Sequence, residues 1–326
     1  MRLLVTGAGG FVGGHLVDFL HAEHAEVEVH GVVLPHGGVS WRAAPGARAV
    51  EADLTDPAAA QAVVEDVRPD RILHLAGQSS VHLSWLDPGG TLRANVLGVV
   101  HLLDAVRRRG LRPPVLVVGS AEEYGPVGPE EMPIREETPL RPASPYAVSK
   151  VAQGALALLY GPAGGLRVVL TRTFHHTGPG RGEAFAESSF ARQIAEIEAG
   201  RREPVLKVGN LEAVRDFADV RDVVRAYWML LERGEGGRAY NVCSGRGRRI
   251  RDLLDILLAA STARVEVRTD PERLRPSDVP AQVGDPARLR AATGWEPRIP
   301  LERSLLDLLD DWRARTAASA PQPSSA

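Results

Sequence analysis

A tyrosine and a lysine stand four residues apart in the stretch SPYAVSK, as Tyr146 and Lys150. The chain has 39 basic residues, of which only Lys150 and Lys207 are lysines and 37 are arginines. Because the chain uses arginine at nearly every other basic position, a lysine here indicates that the site needs a compact ammonium. A planar guanidinium spreads its charge and would fit the site differently. Residues four apart on a helix share a face, and a fixed ammonium stabilises the phenolate form of a neighbouring tyrosine. The pair is therefore predicted to be an acid–base catalyst whose tyrosine has a lowered pKa.

A serine and an acid, Ser120 and Glu122, belong to the stretch GSAEEYG, which begins where the apolar run PVLVVG ends. If that run is a strand of a parallel sheet, both residues lie near its carboxyl end, where open α/β sheets bind their ligands. A serine hydroxyl there can hold a substrate carbonyl oxygen against Tyr146. Glu122 is either a base beside the substrate or a solvated acid next to Glu123.

A glycine-rich turn opens the chain, where TGAGGFVGG places Gly7, Gly10 and Gly13 between an apolar run and a helical pattern. This spacing predicts a dinucleotide site: the first glycine allows the tight turn, the second lets the backbone approach a pyrophosphate, and the third permits close helix–strand packing. The acid that binds a ribose 2′-hydroxyl should fall near residues 32–36, but the chain reads VVLPHG there, and Arg42 is a loose candidate for a 2′-phosphate contact. The choice between NAD(H) and NADP(H) therefore stays open.

Short apolar runs alternate with helical patterns over the first half of the chain. The predicted strands are MRLLVTG, VEVHGVVL, ARAVEADL, RILHLAG, PVLVVGSA and LRVVLTRTF, with AYNVCSG returning later. Strands that are apolar throughout and separated by helices indicate an α/β fold with a Rossmann-type, doubly wound parallel sheet. One helix, around TLRANVLGVVHLLDAVRRRG, is expected to begin at a cap on Thr91 and to stop at Gly110.

After about residue 175 the alternation breaks into loops rich in Gly, Pro and Arg, which predicts a smaller substrate-binding domain. The expected division is a dinucleotide-binding domain over 1–174, to which 219–245 return, and a substrate-binding domain over 175–218 and 246–315. Residues 316–326 are expected to be a disordered tail.

The composition excludes several classes of protein. The net charge is −2, which provides no general attraction to nucleic acid or to a membrane surface. No apolar run reaches the roughly 18 residues that a membrane span needs. A single cysteine, Cys243, permits no disulfide within the chain, and this fits the cytoplasm as the predicted location.

Several longer stretches resemble a known family. They are HLAGQSSVHLSWLDP, GSAEEYG, RPASPYAVSK, TRTFHHTGPG, KVGNLEAVRDFADVRD and RLRPSDVP. Over nearly the whole chain the sequence is similar to the extended short-chain dehydrogenase/reductases that act on nucleotide sugars. Within them it resembles the GDP-4-dehydro-6-deoxy-mannose reductases, which are relatives of the GDP-mannose 4,6-dehydratases.

The resemblance implies roles for individual residues. The implied catalytic residues are Ser120, Glu122, Tyr146 and Lys150, where Lys150 also binds the ribose hydroxyls of the cofactor. The implied cofactor contacts are Gly7, Gly10, Phe11, Val12, Gly13, Asp53, Leu54, Leu75, Ala76, Gly77, Gln78, Ser79, Tyr146, Lys150, His176 and Arg181, with Asp53 and Leu54 at the adenine. The implied contacts to the GDP-sugar are Ser80, His175, Arg215, Arg275 and Asp278.

The resemblance also implies an activity, the NAD(P)H-dependent reduction of the C4 ketone of a GDP-4-keto-6-deoxy-mannose type sugar. The product would be GDP-D-rhamnose or its C4 epimer. A GDP-mannose 4,6-dehydratase and a nucleotide-sugar epimerase remain alternatives, and so does a catalytically idle dinucleotide sensor. Ser188 and Ser189 favour the reductase, since dehydratases generally have Arg-Lys there, while His175 replaces a usual asparagine near the sugar.

Two helical stretches, 91–107 and 145–160, carry more apolar residues than one face needs. On the first they are Leu97, Val99, Val100, Leu102 and Leu103, and on the second Val148, Val151, Leu156, Leu158 and Leu159. One apolar stripe should cover the sheet, and the surplus predicts a homodimer that forms through a four-helix contact, as in relatives.

Overall fold

The structure, a computed structural model, describes residues 1–35, 47–273 and 279–319 of the chain. The strands in this part are β1 (Arg2–Thr6), β2 (Glu28–Val33), β3 (Ala47–Glu51), β4 (Arg71–His74), β5 (Val115–Ser120), β6 (Val168–Thr173), β7 (His175–Thr177), β8 (Val205–Val208), β9 (Val214–Asp219), β10 (Ala239–Val242), β11 (Gly247–Arg249), β12 (Glu266–Thr269) and β13 (Ala281–Gln282). The α-helices are α1 (Phe11–Glu23), α2 (Pro57–Val67), α3 (Val81–Leu86), α4 (Pro88–Leu92), α5 (Gly98–Arg108), α6 (Pro145–Gly164), α7 (Ala186–Glu198), α8 (Val220–Arg233), α9 (Ile250–Ala259), α10 (Ala287–Thr293) and α11 (Leu301–Ala318).

Seven parallel strands form the large sheet, in the order β10-β6-β5-β4-β1-β2-β3. Most residues of strands β1, β4 and β5 are buried, because helices cover both faces of the sheet. One core packs α1 and α8 against one face, and a second core packs α2, α5 and α6 against the other. The predicted α/β class, the Rossmann-type parallel sheet and its seven strands are confirmed.

The rest of the chain forms smaller sheets. Strands β7, β9, β11 and β13 make a four-stranded sheet, and β8 pairs with β12. Helices α7, α9 and α11 share a separate apolar core beside these strands. After α8 the chain returns to the large sheet as β10, which pairs with β6. The division of the chain into two functional domains stays a prediction.

The helix that precedes β5 begins earlier than the sequence pattern indicated. Asp87, not Thr91, caps it, because the Asp87 carboxylate accepts a hydrogen bond from Gly90 N at 2.8 Å and Pro88 occupies the first turn. A π-helical turn over Arg93–Leu97 then joins α4 to α5. The end at Gly110 is as predicted, since this glycine has a left-handed φ of 66° after the last helical turn.

The C-terminal helix also differs from expectation. Helix α11 continues to Ala318, three residues into the stretch 316–326 that was expected to be disordered. Thr316 is buried, so this turn is held by packing that the weak periodicity of the sequence did not indicate. Residues 320–326 lie outside the described part. In the portions that the structure describes, no helix is long and apolar enough to cross a membrane.

The apolar surplus on the two helical stretches is smaller than predicted. Val99, Leu102 and Leu103 are fully buried in the core of their own chain, since this face of α5 lies against the sheet. Leu97, Val148 and Leu159 remain exposed, and so does Trp85 on α3. An apolar surface therefore remains, and it keeps Leu97, Val148 and Leu159 of the predicted residues and adds Trp85.

Candidate active site

The glycine turn joins β1 to α1 at the carboxyl edge of the sheet. Gly7 has a φ of 69°, and a Cβ there would lie 2.8 Å from the backbone nitrogen of Ala76. A Cβ on Gly13 would lie 2.5 Å from the carbonyl oxygens of Gly7 and Ala8. Gly10 caps α1 without any side chain over its first turn. The first turn of α1 is thus a close-packed backbone cradle, and Phe11 and Val12 follow at its start.

A second loop, Leu75–Ser79, follows β4 beside this turn. Leu75 N donates to Thr6 O at 3.1 Å, and Ala76 N donates to Thr6 Oγ1 at 3.1 Å. At Gly77 a Cβ would lie 2.6 Å from Asn95 Oδ1 and 3.7 Å from Lys150 Nζ. Glycine at position 77 therefore lets this loop pass close to Asn95 and to Lys150.

Asn95 is the residue that holds this loop in place. It is fully buried in the π-helical turn, and its amide bonds Gln78 at both ends: Gln78 N donates to Oδ1 at 2.7 Å and Nδ2 donates to Gln78 O at 3.0 Å. Nδ2 also donates to Ser149 Oγ at 2.8 Å. Sequence reasoning missed Asn95. The sequence gives no signal for it, because the burial of Asn95 and its π-helical turn, a turn type that frequently marks functional sites, are visible only in the structure.

Tyr146 and Lys150 lie on the first turns of α6, directly beneath the end of β5. They are 8% and 6% exposed. Lys150 Nζ donates to Val118 O at 2.9 Å and to Gln153 Oε1 at 2.9 Å. Burial lowers the pKa of Lys150 to about 8, and the nearby Glu123 opposes this change. Two neutral acceptors thus hold the ammonium in place, and its pKa lies close to neutral pH.

The pKa of Tyr146 moves in the direction opposite to the one expected from the sequence. Burial raises the pKa of Tyr146 to about 12, and the hydrogen bond with Ser120 and the cation of Arg181 only partly oppose this. The cost of removing a phenolate from water is larger than the stabilisation that the neighbouring positive charge provides. Tyr146 is therefore fully protonated at neutral pH, which suits a proton donor.

Ser120 and Glu122 lie at the end of β5, and the structure separates the roles of the two adjacent glutamates. Glu123 is buried, accepts from Ser120 N at 2.8 Å and pairs with Arg172 at 3.1 Å. Glu122 is partly exposed, and its charge contributes to the raised pKa of Tyr146. Glu123 with Arg172 therefore fixes the backbone of this turn, and the charges of both glutamates act to raise the pKa of Tyr146. Sequence reasoning did not find the Glu123–Arg172 pair.

His176 and Arg181 cluster with Phe11 at the mouth of the glycine turn. The rings of His176 and Phe11 stack at 6.1 Å, and the Arg181 guanidinium lies 5.1 Å from the Phe11 centroid and 3.3 Å from that of Phe185. Burial lowers the pKa of His176 to about 3, so this ring is neutral. Arg181 faces the buried Glu187 at 3.6 Å. These contacts bring both residues to the predicted cofactor site.

Asp53 and Leu54 follow β3 on the far side of the glycine turn. Leu54 is buried, and its carbonyl oxygen bonds His101 Nδ1 at 3.0 Å. Asp53 is exposed, and its Oδ1 accepts from Thr55 N at 2.9 Å. Strand β2 ends at Val33 with no carboxylate at its end, as the sequence indicated. Arg42 lies outside the described residues.

The predicted substrate residues occupy several elements. Ser80 caps α3 beside the Leu75–Ser79 loop. His175 on β7 packs its ring 5.4 Å from that of Phe217 on β9, two residues beyond Arg215, so His175 and Arg215 lie on paired strands. Arg215 is buried and donates to Val214 O at 2.9 Å. Arg275 and Asp278 lie outside the described residues.

Comparisons with known proteins agree with this geometry. The sequence model of the family described as GDP-mannose 4,6 dehydratase matches residues 4–307. The chain is 39% identical over 314 residues to the GDP-6-deoxy-D-mannose reductase of Pseudomonas aeruginosa, covering 96% of this chain and 98% of that protein. The chain belongs to the GDP-mannose 4,6-dehydratase family. The predicted enzyme class, a nucleotide-sugar enzyme among the extended short-chain dehydrogenase/reductases, is confirmed with it.

Solved structures of this family and its neighbours have the same fold. The structure of RMD from Pseudomonas aeruginosa complexed with NADPH superposes with a TM-score of 0.86 at 39% identity, covering 96% of this chain and 99% of that one. The UDP-glucose 4-epimerase of Thermus thermophilus in complex with NAD superposes with a TM-score of 0.84 at 32% identity, covering 96% and 99%. These two structures thus share the fold of this chain, although one was solved with NADPH and the other with NAD.

Proposed function

We propose that the chain reduces the C4 ketone of a GDP-4-keto-6-deoxy-mannose type sugar and yields GDP-D-rhamnose or its C4 epimer. One observation carries this proposal: a buried, protonated Tyr146 lies between the Ser120 hydroxyl and the helix turn that holds Lys150, at the carboxyl end of β5. A ketone reductase needs a proton donor at this place. The 39% identity to a GDP-6-deoxy-D-mannose reductase over nearly the full length supports the substrate class.

The cofactor in this proposal is NADP(H) or NAD(H). Its pyrophosphate would lie over the first turn of α1 at Gly10, and the Leu75–Ser79 loop, His176 and Arg181 would line its nicotinamide half. The fit rests on the backbone cradle at Gly7 and Gly13, where a Cβ would collide with backbone atoms. When bound, the reduced nicotinamide supplies the hydride that the ketone accepts. No acid among the described residues at the end of β2 selects for NAD(H), and the related RMD was solved with NADPH.

Residues of the chain bind the ketone oxygen and transfer the proton. Ser120 donates to the ketone oxygen and holds it beside the Tyr146 hydroxyl. As negative charge develops on that oxygen, Tyr146 transfers its proton to it. The Lys150 ammonium stabilises the phenolate that Tyr146 becomes, and this effect is strong because both groups are buried. On the substrate side, Arg215 and His175 would contact the GDP-sugar.

A second candidate is a GDP-mannose 4,6-dehydratase, favoured by the partly exposed Glu122 beside Tyr146. A dehydratase needs a base for the C5 proton, and in this candidate function Glu122 would be that base. Against this, Ser188 is engaged structurally, donating to Arg181 O and accepting from Trp312 Nε1, both at 2.8 Å. An epimerase would use the same Tyr146 and Lys150.

An assay with two substrates separates these candidates. GDP-mannose and its 4-keto-6-deoxy derivative are each offered with NADPH, with NADH and with no added cofactor, while absorbance at the nicotinamide band and the product sugar are followed. The reductase consumes reduced cofactor with the keto sugar only. Keto sugar formed from GDP-mannose without net cofactor consumption would identify a dehydratase instead, and no turnover of either would leave the epimerase and the idle sensor.

We also infer that the chain forms a homodimer through the exposed apolar surface of α3, α4 and α6. Trp85, Leu92, Pro145 and Val148 line a shallow apolar groove there. Leu159 continues the surface along α6 and is 62% exposed. A contiguous apolar surface of this kind is typical of an interface, and a two-fold dimer would bury it on both subunits.

A further inference from the structure

Lys150 has a neighbour on its own helix that the catalytic set does not include. Gln153 follows three residues later on the same face of α6 and is 1% exposed. Its Oε1 accepts a hydrogen bond from Lys150 Nζ at 2.9 Å, and the other acceptor of the ammonium is the carbonyl oxygen of Val118. Both acceptors are neutral, so neither cancels the charge of Lys150.

The orientation of the Gln153 amide follows from this contact. An ammonium only donates, so the amide must turn Oε1 toward it and Nε2 away. Among the described residues Nε2 finds no hydrogen-bond partner, although it is buried. A buried amide with an unsatisfied end is a cost to folding, which an apolar side chain of similar size would avoid. Stability of the core therefore does not account for glutamine at this position.

We infer that Gln153 is a positioning residue for the proposed reaction: together with Val118 O it holds the Lys150 ammonium beside the Gly77 loop, and it leaves the positive charge of Lys150 uncancelled. The inference rests on the proposed function of Lys150. A Cβ at Gly77 would lie 3.7 Å from Nζ, so the remaining N–H of the ammonium has the glycine loop beside it. Gln153 would thus both keep Lys150 protonated and orient its side chain.

Charged and titratable groups from several elements surround Lys150 and its tyrosine. They are His74 on β4, Glu122 and Glu123 after β5, Tyr146 on α6, Arg172 on β6 and Arg181 after β7. Burial lowers the pKa of His74 to about 3, so this ring adds no positive charge at neutral pH. Glu123 is the acid that acts on Lys150, and it is already paired with Arg172. A neutral acceptor at position 153 therefore preserves the field that Tyr146 experiences.

The composition of the chain permits a direct test. Because Lys150 and Lys207 are the only two lysines, protein grown with [ε-¹³C]lysine gives two lysine resonances in a carbon–proton NMR spectrum. Lys207, whose side chain is 56% exposed, serves as the internal reference. The variants are Gln153→Met, which keeps the length of the side chain without its acceptor, and Gln153→Glu, which adds a carboxylate. Circular dichroism establishes that each is folded, and the pH dependence of kcat/KM with the keto sugar is measured in parallel.

Removing the acceptor destabilises the charged lysine, so in Gln153→Met the Lys150 midpoint should fall by about one pH unit from its value near 8. The alkaline limb of kcat/KM should move down with it. In Gln153→Glu the midpoint should rise by at least as much, while kcat at neutral pH falls about tenfold or more because the carboxylate cancels the charge. The Lys207 resonance is the internal control, which neither substitution should affect.

An unmoved Lys150 midpoint in the folded variants would overturn the role of Gln153, and one folded variant is enough for this test. Equal losses of kcat/KM at every pH would overturn it as well, since a merely structural residue acts in that way. If both midpoints move as expected but the wild-type enzyme does not reduce the keto sugar, the action of Gln153 on the charge of Lys150 is supported and the proposed function is rejected.

Discussion

At the scale of single residues, the reactive tyrosine is tuned mainly by desolvation. Burial keeps Tyr146 protonated up to a pKa of about 12, while the same burial brings the pKa of Lys150 down to about 8. A tyrosine that stays protonated throughout the neutral range is ready to transfer its proton to a developing alkoxide. The sequence identified both residues by type and spacing. It did not give the direction of the Tyr146 shift, because that depends on burial.

Replacing Tyr146 tests this assignment most simply. Tyr146→Phe removes the proton donor but keeps the ring, so we expect turnover of the keto sugar to fall by about 10²–10⁴ while cofactor binding is retained. Steady-state kinetics and a fluorescence titration with NADPH measure the two properties. Tyr160→Phe, on the same helix, is the matched control and should keep its activity. Near-normal turnover by Tyr146→Phe would show that another group donates the proton.

The buried His74 makes the free energy of unfolding depend on pH. Burial lowers the pKa of His74 from 6.5 to about 3, so the unfolded chain binds a proton that the folded chain does not. This contribution to stability is complete above pH 6.5 and is lost as the pH falls toward 3. Between pH 6.5 and 5 the loss is about 2 kcal/mol for this one group.

The variant His74→Asn isolates this contribution, because all other groups titrate in both proteins. Asparagine removes the titration while an amide can still bond Thr6 Oγ1, which contacts His74 Nδ1 at 2.8 Å. Urea unfolding at pH 6.5 and 5 should show a smaller loss of unfolding free energy in the variant than in the wild type. Equal losses in the two proteins would mean that His74 is protonated in the folded state.

At the scale of elements, the site forms where three turns meet at the carboxyl edge of the sheet. The glycine turn after β1, the Leu75–Ser79 loop after β4 and the Ser120 turn after β5 come from neighbouring strands, since the sheet order places β5, β4 and β1 side by side. Parallel pairing brings their carboxyl ends to one edge. Residues distant in sequence therefore share the site without any long loop.

The first of these turns can be tested separately from catalysis. Gly10 has an ordinary φ of −77°, so Gly10→Val is compatible with folding, although its Cβ would lie 3.2 Å from Gly7 O. The branched side chain would occupy the approach of the pyrophosphate, and we expect cofactor affinity to fall at least tenfold. Isothermal titration with NADPH measures it. Gly14→Ala, where a Cβ meets nothing within 4 Å, is the control that should bind normally. Unchanged binding by Gly10→Val would make the turn purely structural.

At the scale of the whole molecule, periodicity and turn residues were sufficient to predict the sheet. All seven strands of the large sheet and the glycine turn could be predicted, because short strand patterns alternate with helical patterns along the chain. The Asp87 cap was missed, since two possible caps lay four residues apart. Asn95, Gln153 and Glu187 were also missed, because the sequence alone does not distinguish a buried polar residue from an exposed one on a helix.

The proposed dimer makes a prediction about mass. The chain has a mass of 35.0 kDa, and light scattering at micromolar concentration should give twice this value. Leu159→Arg places a charge on the apolar surface of α6 and should shift the protein to monomer. Leu306→Arg, at an exposed leucine on α11, is the control that should remain a dimer. A wild-type monomer at that concentration would reject the dimer.

The central claim, hydride delivery to C4 of a keto sugar, is tested most directly by following a label. The enzyme is given GDP-4-keto-6-deoxy-mannose and NADPH carrying deuterium at C4 of the nicotinamide, on either face in separate reactions, and the isolated product is analysed by NMR. We predict that one of the two labelled cofactors places deuterium at C4 of the 6-deoxy sugar, with the same NMR spectrum establishing the configuration at that carbon. A product without deuterium at C4 from either cofactor, or with deuterium at another carbon, would contradict the proposed reduction.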